Sequence, residues 1–258
     1  VTGLSAVYDI VIKTQDEFID MITDGVGLTG DTTTDNANIQ SSTWKGAKSV
    51  ALVGQFTYSV ANNSGIKIPS TVKQIHGFSK ANEGNAKITI TNFAWNSSTA
   101  KGGLWYDTRP TTQDYNIRDL EVSCTGTTRG YAFYNCNNLS NCTGTGTGTE
   151  ATYGYGFYSC TNLTNCTGKG TGYSGYGFYS CTNLTNCTGT GSGDSGYGFS
   201  NCTNLTNCTG TGTGTGTGST GRGFDFCTNL TNCTGKGTGS AGGYGFYSIT
   251  YASNCKDG

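Results

Sequence analysis

Phe157-Tyr-Ser-Cys160-Thr-Asn-Leu163-Thr-Asn-Cys166-Thr-Gly168 is one of five copies of the pattern Phe-x-x-Cys-x-x-Leu-x-x-Cys-Thr-Gly, which start at Phe133, Phe157, Phe178, Phe199 and Phe224. A sixth, altered copy starts at Phe246, so the steps between phenylalanines are 24, 21, 21, 25 and 22 residues by subtraction. Phe to first Cys is always three residues and first Cys to second Cys always six in the complete copies. All length variation therefore falls between the Gly/Thr run and the next aromatic block. A fixed unit with insertions at one place is the signature of stacked coils whose insertions become loops on one side. The second half of the chain reads as a solenoid.

Composition agrees. The chain has 258 residues, 42 of them glycine, and only 34% are hydrophobic, which is little for a conventional core. A stack needs less, because each coil buries a narrow strip and closes its backbone hydrogen bonds with the coils above and below. Two prolines, 12% charged residues and regular Phe, Tyr, Leu and Cys columns argue against disorder. A net charge of −1 gives no reason to expect nucleic acid. No apolar run approaches the roughly 20 residues that span a bilayer, so membrane insertion is not expected. The opening Val-Thr-Gly-Leu-Ser is neither a signal peptide nor an initiator start, and the closing Asn-Cys-Lys-Asp-Gly lacks a polar cap. Both ends read as those of a processed or truncated piece, or as an end that a partner covers.

Twelve cysteines raise the question of disulfides. Cys136/Cys142, Cys160/Cys166, Cys181/Cys187, Cys202/Cys208 and Cys227/Cys233 could each close a small loop in an oxidising compartment. Against this, Cys255 has Ile249 where its mate should stand and Cys124 has Arg118. Isoleucine in a cysteine slot points to apolar packing, so stacked free thiols are favoured over within-coil bridges. The Cys-x-x-Cys knuckles of structural zinc are absent, and neither metal nor cofactor is expected.

Residues 1–48 read as an N-terminal cap and loop, 49–123 as β-helix coils and 124–258 as Cys/Gly/Thr-rich repeats. Tyr8 to Lys13 alternates like a strand, and Thr14 with Glu17 forms a capping box ahead of Phe18, Ile19 and Ile22. Residues 24 to 43 are Thr/Asp/Asn-rich and read as a loop. Short strand patterns come next, at Val50 to Val53, Phe56 to Val60, Gly65 to Pro69, Val72 to His76 and Lys87 to Phe93. The fold class is all-β, a parallel β-helix or β-solenoid behind a short strand–helix cap.

Two resemblances bear on this. Gly65-Ile-Lys-Ile-Pro-Ser-Thr-Val-Lys-Gln-Ile-His-Gly77 resembles the early coils of right-handed parallel β-helix proteins of the pectate-lyase-like kind, common among phage tail and bacterial surface proteins. Ala132-Phe133-Tyr134-Asn135-Cys136-Asn137-Asn138-Leu139 is similar to the signature of BspA-type leucine-rich repeats, though after the leucine this chain has Cys-Thr-Gly-Thr-Gly where that family tends to have isoleucines and a proline. The resemblances imply an inward Phe/Cys/Leu strip and a surface or adhesive role. They carry no catalytic motif.

Alternation in Leu120-Glu-Val-Ser-Cys-Thr-Gly-Thr127 puts Leu120, Val122, Cys124 and Gly126 on one face. Applied to the copies, it predicts outward rows Thr143, Thr167, Thr188, Thr209, Thr234 and Thr145, Lys169, Thr190, Thr211, Lys236. Inward glycines require that the coil be flattened, be filled from the opposite wall by Tyr155 and Phe157, or press against another chain. Asn162, Asn165 and their equivalents stand at turn-like positions where amides can bond from coil to coil.

Catalysis finds little support. His76 is the one histidine, and Glu150, Asp194, Asp225 and Asp257 are solitary; only Asp107, Asp114, Asp119 and Glu121 lie close enough in sequence to suggest a site. Binding is better supported, because the insertions bring Glu150 and Tyr153, then Tyr173, Asp194 and Arg222, to equivalent loop positions on a constant frame. The expected function is non-enzymatic receptor binding or adhesion at a virion or extracellular surface. The partner would be a host glycan or protein, and the chain a homo-oligomer or part of a fibre. The alternatives are a self-assembling structural filament and, through the Thr array, ice binding. Lys169, Lys236 and the unequal coil lengths argue against the last.

Overall fold

The computed structural model describes residues 3–94, 102–149 and 152–258. One copy of the repeat supplies three short strands, Tyr153–Tyr158, Thr161–Thr164 and Thr167–Thr171, and each pairs in parallel with its equivalent in the next copy. Phe157 stands opposite Phe178, Leu163 opposite Leu184, and Thr167 opposite Thr188. The result is three parallel sheets. Among the described residues, sheet A (the Leu strands) has ten strands, sheet B (the Gly/Thr strands) nine and sheet C (the Gly-Tyr-Gly-Phe strands) eight. Eight complete coils run from Ser49–Val53 to Gly242–Tyr247, so the chain is an all-β parallel solenoid as the repeat requires.

The corners explain the asparagines. Asn135 and Ser159, between sheets C and A, and Asn141 and Asn165, between A and B, have φ from 52° to 54°. Asn162 and Asn183, within sheet A, have φ of 57° and 58°. Asparagine tolerates this left-handed region better than other residues with a Cβ. The amides also bond along the stack, Asn183 Nδ2 donating to Asn162 Oδ1 at 2.9 Å and Asn186 Nδ2 to Asn165 Oδ1 at 3.3 Å. Their role is structural.

Inside the broad part of the coil, phenylalanines 133, 157, 178, 199, 224 and 246 stack with ring centroids 4.7 to 5.1 Å apart. All twelve cysteines are free thiols and eleven are buried. Cys160 and Cys166 stand at opposite ends of the strand Thr161–Thr164. The strand separates the two thiols into different columns of the stack, and neither is bridged. Thiols donate instead to carbonyls, as Cys181 Sγ does to Tyr179 O at 3.4 Å. Burial pushes the Cys124 thiol up to about 12, and a hydrogen bond with Cys166 is the largest cause that raises Cys187 to about 12.

Sheets B and C form a tapered wing. A Cβ on Gly146 would lie 2.1 Å from Tyr155 O, and one on Gly170 2.2 Å from Tyr176 N. Backbone packs on backbone, so the coil is flattened here. Phe157 reaches toward the wing from the broad side, its Cε2 3.0 Å from the Cβ position of Gly144. Tyr155 does not fill the space. Gly154 and Gly156 point inward at sheet B, which turns Tyr155 to the outer face of sheet C.

The N-terminal end is closed by helix α1 (Gln15–Ile22), whose capping box between Thr14 and Glu17 forms as its sequence requires. Phe18 stacks on Phe56 of the first coil at 5.0 Å. The strand Ile10–Ile12 joins sheet A beside Ser49–Val53. Residues 24–43 are not all loop, because helix α2 spans Thr32–Ser41. Asp31 caps it through the Thr33 amide, and the buried Asp35 carboxylate accepts from Thr29 N, Thr29 Oγ1 and Gly30 N. Its buried residues are only Asp35 and Ile39, so no apolar stripe announces it.

Candidate binding edge

The tapered wing ends at the B–C corner, and the unequal lengths of the repeat copies are taken up there. The connection is Gly172 and Tyr173 after Thr167–Thr171, Asp194 alone after Thr188–Gly193, and residues 215–219 after Thr209–Gly214. Tyr173 and Asp194 come together. With Thr171, Gly172, Ser192, Gly193 and Thr215 they line an open cleft of about 520 Å³. Tyr173 is 46% exposed, while its backbone is held, Tyr173 N donating to Thr152 O at 2.7 Å. Thr215 N bonds Gly193 O at 2.8 Å and Thr220 N bonds Asp194 O at 3.3 Å. The floor is glycine by necessity, since Gly193 has φ 141° and a Cβ there would sit 1.9 Å from Gly172 O. An aromatic ring, a carboxylate and hydroxyls on a rigid floor suit a polyhydroxylated or peptide ligand.

The other expected loop residues lie elsewhere. Glu150 falls outside the described residues. Tyr153 is the first residue of the strand Tyr153–Tyr158, with the Arg129 guanidinium 5.3 Å from its ring centre. Arg222 is in the strand Thr220–Asp225, two residues before Phe224, where the neighbouring coils carry Tyr197 and Tyr244. Its Nη1 donates to Asp225 Oδ1 at 2.6 Å and its guanidinium covers the Tyr247 ring at 3.6 Å. Both belong to the outer face of sheet C.

That face was not foreseen. Tyr131, Tyr155, Tyr176 and Tyr197 stack at 4.8 to 4.9 Å. Tyr134, Tyr158 and Tyr179 form a second column at 5.1 and 5.2 Å. The signal was Gly-Tyr-Gly, in which the tyrosine is turned away from two inward glycines, although the alternation then breaks between Gly156 and Phe157, which both face inward. Each ring lies against the next, so the faces are taken up within the columns; Tyr131 and Tyr155 are buried there, and Tyr176 and Tyr197 half-buried. Burial raises the Tyr131 hydroxyl to about 12.

On sheet B the expected rows form. Thr145, Lys169, Thr190, Thr211 and Lys236 are consecutive register partners, as are Thr143, Thr167, Thr188, Thr209 and Thr234. A third row, Thr147, Thr171, Ser192, Thr213 and Thr238, lies beside them. Unequal coil lengths do not disturb this array, since every insertion lies beyond its edge.

The acidic residues on the border between the halves do not converge. Asp119 and Glu121 line a cleft of about 480 Å³ with Ser79, Asn85 and Asn141, while Asp107 pairs with Lys67 at 3.5 Å and Asp114 with Lys73 at 3.3 Å. His76 joins two elements. The Tyr8 hydroxyl is 2.5 Å from its Nδ1, and its Nε2 is 2.9 Å from Asp119 Oδ2. Burial, followed by the Arg118 charge, lowers its pKa, so the neutral ring accepts from Tyr8 and donates to Asp119. It fastens the N-terminal segment to sheet A.

No protein-family profile matches the chain, and neither a curated protein nor a solved structure is significantly similar to it.

Proposed function

We propose that this solenoid is a non-enzymatic receptor-binding or adhesive element, of the phage tail-fibre or bacterial cell-surface kind, working at a virion or extracellular surface. It recognises a host glycan or surface protein through the tapered B–C edge. The observation that carries the reading is the meeting of Tyr173 and Asp194 in one open cleft, at the corner where coil length is free to vary. A pyranose ring stacks on the exposed phenol while the carboxylate and the hydroxyls of Thr171, Ser192 and Thr215 take its hydroxyl groups. The frame is fixed by the Phe, Cys and Leu columns, so edge residues change without cost to the fold.

Glycan-array and host-cell binding test this. Tyr173→Ala with Asp194→Ala is expected to weaken binding by about tenfold or more, equivalent to about 1.4 kcal/mol, with an unchanged melting curve. Absence of binding to every glycan and cell surface, or full binding by the double variant, removes the reading.

The unbroken register of three Thr-rich rows favours one second reading, adsorption to an ordered hydroxyl or ice lattice. Lys169 and Lys236 interrupt the middle row. Thermal hysteresis that disappears in Thr190→Lys would support this reading, and its absence from the wild-type chain dismisses it.

A further inference from the structure

We propose that the outer face of sheet C pairs with the same face of a second copy of this chain. This surface is separate from the cleft of Tyr173 and Asp194 and does not depend on it.

The face is aromatic and nearly uncharged. In the five strands from Tyr153–Tyr158 to Gly242–Tyr247, its outward column two residues before each phenylalanine reads Tyr155, Tyr176, Tyr197, Arg222, Tyr244. The column one residue after each phenylalanine reads Tyr158, Tyr179, Ser200, Asp225, Tyr247. The one cation and the one anion in these columns pair with each other at 2.6 Å, and Ser200 Oγ donates to the second Asp225 oxygen at 3.2 Å. Tyrosine with few free charges is the composition of an interface centre, and the third column of this face, Tyr153, Ser174, Ser195, Thr220, Gly242, gives it a polar border.

Spacing and area point to a second copy. The rings rise by one coil at a time, 4.8 to 5.2 Å, and use their faces on one another, so an occupant meets parallel rows at that spacing. A second identical ladder has the same repeat and sets its rows between them, as side chains interdigitate between paired sheets of stacked strands. Five strands of six residues span about 24 Å by about 20 Å, within which Tyr155, Ser200 and Asp225 are already buried, so two copies cover at most about 1,000 Å² in all, the lower limit for a specific interface. Such a pair is reversible and two-fold symmetric.

Sedimentation equilibrium of the whole chain between about 1 and about 100 µM tests the pairing. The expected result is a monomer–dimer equilibrium, with Tyr176→Lys weakening association by at least about tenfold because it places an unpaired ammonium group in an aromatic interface. Thr190→Lys on sheet B leaves it unchanged. Nitration of Tyr176 and Tyr179 in the wild-type chain falls as concentration rises, which decides the matter if Tyr176→Lys does not fold. A monomer throughout the range, a dimer insensitive to Tyr176→Lys, a dimer lost in Thr190→Lys, or nitration independent of concentration each overturns the proposal.

Discussion

The broad base of the coil and its tapered wing are built from the same repeat by opposite means. At the base, Phe178, Cys181, Leu184 and Cys187 fill the space between strands. In the wing, Gly168, Gly170, Gly175 and Gly177 remove it, and sheets B and C touch through their backbones. A side-chain core tolerates a smaller residue at a graded cost, because the loss is contact area and a cavity. A backbone contact tolerates nothing larger than hydrogen.

The largest expected effect comes from breaking the wing. Gly170→Val would place a branched side chain 2.2 Å from the Tyr176 amide nitrogen, and a loss above about 4 kcal/mol, or failure to fold, is expected in urea unfolding. Phe178→Ala, at the base of the next coil, opens a cavity between Phe157 and Phe199 and should cost about 3 to 5 kcal/mol while the protein still folds. If the order is reversed, the contrast between the two regions is wrong.

The thiol columns make the base sensitive to alkali. The folded pKa of Cys187 is raised from 9.0 to about 12, so its neutral form stabilises the fold at pH below 9. That contribution declines as pH rises from 9 toward 12. Melting temperature should therefore fall over this interval. A flat profile to pH 11 would mean that the thiols are not buried and protonated as described. The smallest effect concerns the asparagine ladder. Asn183→Ala loses two amide bonds, the one it donates to Asn162 and the one it accepts from Asn204, and leaves an alanine at φ 58°, for about 1 to 2 kcal/mol, whereas Asn183→Gly keeps the backbone relaxed and should cost less. Equal losses would show that backbone conformation plays no part.

Much of the base was legible because its constraints are side-chain identities at fixed spacing. Ile249 in a cysteine column already indicated packing over cross-linking, and the variable steps already located the insertions. The wing was harder, because glycine names a vacancy without saying what occupies it. Flattening, filling and partner contact all fit the same letters until backbone distances separate them. Tyr153 and Arg222 were assigned to loops by their nearness to the insertions, although Arg222 keeps the offset of two residues from Phe224 that Tyr155 keeps from Phe157. Helix α2 left no periodic trace, since Asp35 and a cap hold it in place of an apolar stripe. Among the described residues, Tyr173 and Asp194 are the expected loop residues that meet, and stacking of unequal coils, which sequence spacing does not show, is what joins them.

The most direct test of the backbone contact is a nuclear Overhauser measurement between the α protons of Gly170 and the amide proton of Tyr176. Sheets packed through side chains lie about 10 Å apart, too far for a strong effect. A wing closed on its glycines predicts a strong cross-peak here and at the equivalent pair Gly191 and Tyr197, whose nitrogen lies 2.3 Å from a Cβ placed on the glycine. Absence of both cross-peaks in an otherwise assigned, folded protein would contradict it.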